Sequence, residues 1–292
     1  MPAPAPVARV DWREAAAALA DEVARVTTLL RTIHDGSVPA LGQWSIAEVA
    51  MHLSQAWMVV TGLAEDDLSN AHRVFPTARG SGGVSLIREM WDLSEVTMAG
   101  VRADPERNLG VVADRIDERA GAFLGGLGPK SAEGHHAWLV EGVIVSLPTL
   151  VCHLLNETMV HGYDIACAAG RRWAISRPRA ALILDGFLVP VLASLPPRTM
   201  VDQQKARGRR ITYELRVRGA QRHLFVFDDG ELLIEPPGAR PVDCHISADP
   251  AAMLLVAWAR RSQWSAIAQG QLVAWGRKPW LGPRLRILVR NP

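Results

Sequence analysis

The segment CHLLNETMVHGYD, residues 152–164, carries His153, Glu157 and His161 at four-residue steps, followed by Asp164, inside an otherwise apolar run. On a helix each step of four advances the chain by about 400°, so the three side chains drift by only about 40° per step and share one side. Glu157 and His161 can therefore converge on one ion. The same spacing also serves ordinary helix-surface contacts, so the pair reads as a metal site only if a second helix supplies another donor. His52 is such a donor, an imidazole set among apolar neighbours in IAEVAMHLSQAW (46–57). Two imidazoles and one carboxylate are the donor set of a catalytic zinc centre, in which three protein ligands leave one position for water or substrate. A fourth ligand, for which His153 is the candidate, would close the shell and make the site structural.

These residues need rigid helices to hold them. Asp11 and Glu14 have capping-box spacing ahead of an Ala/Leu/Val-rich run that reaches Ile33. Ser45 and Glu48 repeat the device ahead of a helix through His52 to about Thr61. A third helix is predicted from Leu86 to Gly100. A fourth is opened by ADPE, with Pro105 in its first turn, and stops at Gly125 and Gly126. Residues 137–146 are extended but ambiguous. Pro148 then opens the helix of the metal-binding segment, which Gly170 ends. Long helices joined by loops predict an antiparallel bundle.

A further helix at about 178–193 leads into LPPRTMVDQQKARGRR, a Pro- and Arg-rich stretch suited to a domain boundary. Beyond it the apolar period shortens. ITYELRVRG, RHLFVFDDGELLIE and PVDCHISA read as strands, with Asp229–Gly230 at a hairpin turn; Asp249 caps a helix, and QLVAWG is another strand. The expected fold class is thus α+β with two domains, a helical bundle over residues 1–195 and a small α/β domain over 210–292.

Composition narrows the function classes. A net charge of +2 with 21% charged residues provides no field for nucleic acid or an anionic membrane, and no basic stripe with interleaved aromatics appears. No export signal or membrane-length apolar run is visible, which predicts a cytoplasmic protein. Cys152, Cys167 and Cys244 form no C-x-x-C pair and read as small core residues. Trp258, Trp264, Trp275 and Trp280 read as core, with an apolar-ligand pocket as the alternative. Oligomeric state is not encoded in any heptad seam.

The two segments WSIAEVAMHLSQAW (44–57) and CHLLNETMVHGYDIACAAGR (152–171) resemble the signature segments of the mycothiol-dependent maleylpyruvate isomerase family, part of the wider DinB-like superfamily of metal-binding four-helix bundles. The first fits W-(S/T)-x-x-(D/E)-(V/L)-x-x-H and the second E-x-x-x-H-G-x-D, and the resemblance covers roughly residues 10 to 170. The resemblance implies a metal triad of His52, Glu157 and His161. Members often carry Arg where this chain has His153. Asp164 is expected to accept a hydrogen bond from a ligand imidazole and fix its tautomer, or else to face solvent. The C-terminal part, through SAIAQGQLVAWGRKPWLGPRLRILV, resembles a sterol-carrier-protein type 2 domain. By placement, the substrate-side arginine of the family falls on Arg260. Arg260 and Asp164 are therefore the expected catalytic residues, with surface charge as the alternative role for Arg260 and for Arg277.

The resemblance implies a divalent cofactor, expected to be zinc, and mycothiol as thiol cosubstrate. Activated as thiolate, mycothiol would isomerise a small electrophilic substrate or be transferred to it. A metal hydrolase using bound water, with His153 or Asp164 as base, is a second reading. A non-enzymatic binder acting through the C-terminal domain is a third.

Overall fold

The computed structural model of the chain describes residues 10–74, 92–128, 134–140 and 142–290. The expected start of the third helix at Leu86 lies outside them. Helix α1 (Trp12–Arg31) begins where the Asp11 carboxylate accepts from the Arg13 N–H, and it buries Ala15, Leu19, Val23, Val26 and Leu30 along one stripe. A short hairpin, β1 (Pro39–Leu41) and β2 (Trp44–Ser45), leads into α2 (Ile46–Ala64). Both halves of its capping box are made: Ser45 Oγ accepts from the Glu48 N–H at 3.3 Å, and the Glu48 carboxylate accepts from the Ser45 N–H at 2.8 Å.

Helices α3 (Ser69–Val74) and α4 (Asp92–Ala103) are followed by α5 (Leu109–Gly126). Helix α5 starts later than the Pro105 signal suggests. Asn108 Oδ1 accepts from the N–H groups of Gly110 and Val111, and this cap fixes the N-terminus beyond the proline. The ambiguous stretch becomes an antiparallel pair, β3 (His135–Ala137) with β4 (Ile144–Ser146). Helix α6 (Leu147–Ala168) has Pro148 in its first turn and is buried along most of its length. Gly170, at φ 65°, follows its end in the left-handed region. Helices α1 and α2 each pack against both α5 and α6. The packing of α2 on α6 brings the two metal-site segments together.

The chain divides into two compact units, Val10–Ile175 and the residues from Ser176 onward. Helix α7 (Arg177–Ile183), a π-helical turn (Leu184–Leu188) and α8 (Val189–Ser194) fold with the second unit, whereas the expected boundary lay at 195–210. Leu184 and Val189 share a core with Tyr213, Phe225, Phe227 and Ile246. Helical periodicity names a buried face but not what covers it. A short helix α9 (Gln203–Ala206) precedes a five-stranded sheet of order β7-β6-β5-β8-β9, built from β5 (Arg210–Val217), β6 (Arg222–Asp228), β7 (Glu231–Glu235), β8 (Cys244–Ala248) and β9 (Leu272–Trp275). Strands β5 and β8 are parallel and the other pairs antiparallel. Asp229 and Gly230 make the β6–β7 turn at φ 46° and 84°, the conformation that favours this pair of residues. Asp249 caps α10 (Pro250–Ala257), which is followed by α11 (Gln263–Ala268); a 3-10 turn leads into α12 (Leu285–Leu288) at the end of the chain.

Two composition-based readings are corrected. Cys152 and Cys244 are buried, but Cys167 is exposed. Trp264 and Trp280 are not core residues; their exposures are 61% and 63%. Among the described residues no helix is long and apolar enough to cross a membrane.

Candidate metal centre

The site is built on the facing sides of α2 and α6. His52 lies two turns inside a capped helix, so its ring position is set by firm backbone, and the edge of Trp44 packs against it at 5.3 Å between ring centroids. On α6, Glu157 and His161 project towards it. His52 Nε2 lies 3.4 Å and His161 Nε2 3.3 Å from the same oxygen, Glu157 Oε2. The two imidazoles stand edge-on, 4.8 Å between centroids and 90° apart. One donor atom from each of His52, Glu157 and His161 lies within 4.8 Å of the others.

The second nitrogen of each α6 histidine is also engaged. His161 Nδ1 is 3.1 Å from Asp164 Oδ2. That carboxylate holds a proton at Nδ1, so Nε2 is the nitrogen that can give up its hydrogen and turn a lone pair to an ion between Glu157 and His52, as a metal ligand requires. His153 is arranged oppositely. The Trp138 indole donates to its Nδ1 at 3.4 Å, and its Nε2 lies 3.6 Å from Glu157 Oε1. In a neutral ring this leaves the proton on Nε2, so His153 presents a donor to the carboxylate. Asn156 adds a second donor to the same oxygen, at 3.2 Å.

The electrostatics follow from crowding. Burial raises the Glu157 pKa, but hydrogen bonds from His153, His161 and His52 override it and hold the carboxyl well below its usual range. Burial pulls His161 down; Asp164 and Glu157 outweigh it and push its pKa up to about 9. Burial dominates at His52, which falls below its ordinary value despite Glu157. A buried carboxylate converging with two imidazoles is a donor set that could hold a metal ion.

The structure thus brings His52, Glu157, His161, Asp164 and His153 together. Arg260 lies in the sheet-bearing unit just past α10 and donates to the Trp258 carbonyl at 2.7 Å. Arg277 is exposed in the same unit. Sequence reasoning missed Trp138 and Asn156. Trp138 sat in the ambiguous stretch, and only the β3–β4 hairpin places it against His153. Nothing in the sequence marks Asn156 beyond its adjacency to Glu157.

No family model and no curated protein matches the chain. Among solved structures, a mycothiol-dependent maleylpyruvate isomerase and a histidine-to-alanine mutant of it each align over 91% of this chain and 93% of their own, at 11% identity and a TM-score of 0.48. The inverting sec-alkylsulfatase Pisa1 from Pseudomonas sp. aligns over 82% of this chain and 44% of its own, at 12% identity and a TM-score of 0.29. Similarities of this degree assign no chemistry, which rests on the residues themselves.

Proposed function

We propose that this chain is a divalent-metal-dependent enzyme, zinc being the expected ion, that uses mycothiol as a thiolate nucleophile towards a small electrophilic substrate, in cis–trans isomerisation or S-transfer. The observation that carries the metal is the meeting of His52, Glu157 and His161 within 4.8 Å across α2 and α6. The thiol rests on the resemblance of residues 44–57 and 152–171 to the isomerase signatures. When bound, the ion lowers the pKa of a coordinating thiol, so that thiolate is available at neutral pH.

The chain's own residues prepare that site. Asp164 fixes the His161 ring and tautomer. Trp138, through His153, and Asn156 fix Glu157 Oε1, which leaves Oε2 facing the two ligand histidines. Hydrolysis by a bound water needs a general base. The two candidates, Asp164 and His153, are each committed to a ligand residue, which favours the thiol reading. Arg260 is carried as the substrate-side charge, and a raised KM with little change in kcat for Arg260→Ala is the sign of that role.

The test is metal analysis combined with cobalt substitution. One ion per chain is expected, lost in His52→Ala and Glu157→Gln. Mycothiol added to the cobalt form should change its visible spectrum, and turnover should require the thiol. Metal-dependent turnover without thiol overturns the thiol reading, and absence of stoichiometric metal overturns the enzyme reading as a whole.

A further inference from the structure

The sheet-bearing unit holds a second cluster of chemistry-bearing side chains, unrelated to the metal centre. Alternation along the strands sends Tyr213, Leu215, Phe225 and Ile246 into the core and turns Glu214, Arg216, Leu224 and His245 to the other face. On that face the register sets Glu214 of β5 beside Leu224 and His245, Arg216 beside Arg222, and His245 opposite Trp275. Although it sits on the non-core face, Glu214 is only 5% exposed. Its carboxylate accepts from Arg216 Nη2 at 2.6 Å, Arg222 Nη1 at 3.4 Å and His245 Nδ1. Trp275 stacks on His245 at 5.4 Å and 19°, and the Arg216 guanidinium lies 5.4 Å from the same indole ring. Gly276, at φ 111°, keeps the space clear, since a Cβ there would come within 2.9 Å of the His245 ring.

Glu214 therefore works as an internal brace. It fixes two arginines and a histidine that together line a cavity of ≈ 420 Å³, walled on its apolar side by Leu224 and Val242. That volume is in the range of small-molecule sites. The Arg216 Nε–H has no acceptor but is closed off from solvent, so the cavity meets the two arginines through the rest of their side chains, which are 39% and 56% exposed. Two arginines against one glutamate leave a charge excess of one.

We infer that this cavity binds a small organic monocarboxylate, its carboxylate on the exposed guanidinium edges of Arg216 and Arg222 and its apolar body on Leu224 and Val242. A single excess positive charge matches a monoanion better than a phosphate dianion. His245, with Nδ1 donating to Glu214, completes a mixed polar and apolar lining. The inference is independent of the metal centre.

Calorimetric titration of the full chain with benzoate, a carboxylate with an apolar ring, tests it, and inorganic phosphate is the comparison. Saturable 1:1 binding is expected, weakened about tenfold or more by Arg216→Lys, which keeps the charge but loses the planar fork. Arg222→Ala should weaken it similarly, and because Arg222 is half exposed this variant keeps the fold. No saturable binding to the parent chain, or binding unchanged in both variants, overturns the proposal. Phosphate binding more tightly than benzoate overturns the carboxylate assignment.

Discussion

A metal-binding imidazole gives one nitrogen to the ion and must satisfy the other, and the two histidines of α6 resolve this in opposite ways. His161 turns Nδ1 to Asp164 and keeps Nε2 for the ion. His153 accepts a hydrogen bond from the Trp138 indole at Nδ1, so in the neutral ring its remaining nitrogen carries the hydrogen towards Glu157 and has no lone pair to offer. His153 therefore supplies a donor to the carboxylate and does not add a ligand. Asp164→Asn should lower zinc affinity about ten- to a hundredfold, measured by competition with a chromophoric chelator. His153→Leu should cost about 1–3 kcal/mol of stability, because the buried Trp138 N–H loses this acceptor, while the chain still takes up one ion. Loss of the ion in His153→Leu would make it a fourth ligand and remove the open position on which the proposed chemistry depends.

Helix α6 also has to seat the end of its own unit. Gly162, next to His161, lies under Trp173, and a Cβ there would come within 2.7 Å of the indole. The indole cannot easily yield, since the Arg25 guanidinium stacks 3.9 Å from it and is itself held by two 2.8 Å bonds to the fully buried Glu22. Gly162→Ala should gain about 1 kcal/mol in helix propensity and lose about 1–3 kcal/mol to overpacking, a net destabilisation in thermal melts. Gly121→Ala on the exposed face of α5, where a Cβ meets nothing, should instead stabilise by up to about 1 kcal/mol. What the sequence made legible at this scale was local. The Ser45–Glu48 box and the 157–161 spacing act within one or two turns, so the residues themselves specify them. The start of α5 was misplaced because two local signals, Pro105 and Asn108, competed. The allegiance of residues 177–194 and the role of Trp138 depend on contacts distant in sequence, which periodicity does not record. His52 became legible as a partner of Glu157 through the resemblance of two segments, and its meeting with α6 required the packing of α2.

At the scale of the whole molecule, the proposed metal centre would couple folding to both ion and proton. Without metal, the raised pKa of His161 gives a stability contribution that is complete below 6.5 and is lost as pH rises through about 9. The lowered pKa of Glu157 gives one that is present above 4.5 and is lost on acidification. The metal-free chain is therefore favoured at intermediate pH and weakens on the alkaline side. An ion reverses the alkaline trend, because it takes the place of the His161 proton. Between pH 6.5 and about 9 each binding event should release about one proton, so that apparent affinity rises about tenfold per pH unit. At a fixed free zinc concentration above the dissociation constant, the stability gap between loaded and metal-free chain should then widen by up to about 1.4 kcal/mol per pH unit across that window. Melting in chelator-buffered zinc measures the gap, and hydrogen exchange should place the added protection in α2 and α6, the helices that supply the ligands. In Asp164→Asn the anion that holds the His161 proton is gone, so the gap should be smaller and its pH dependence shallower. A gap of the same size at all pH values in the parent chain would mean that His161 meets the ion already neutral, and would remove Asp164 from the role assigned to it.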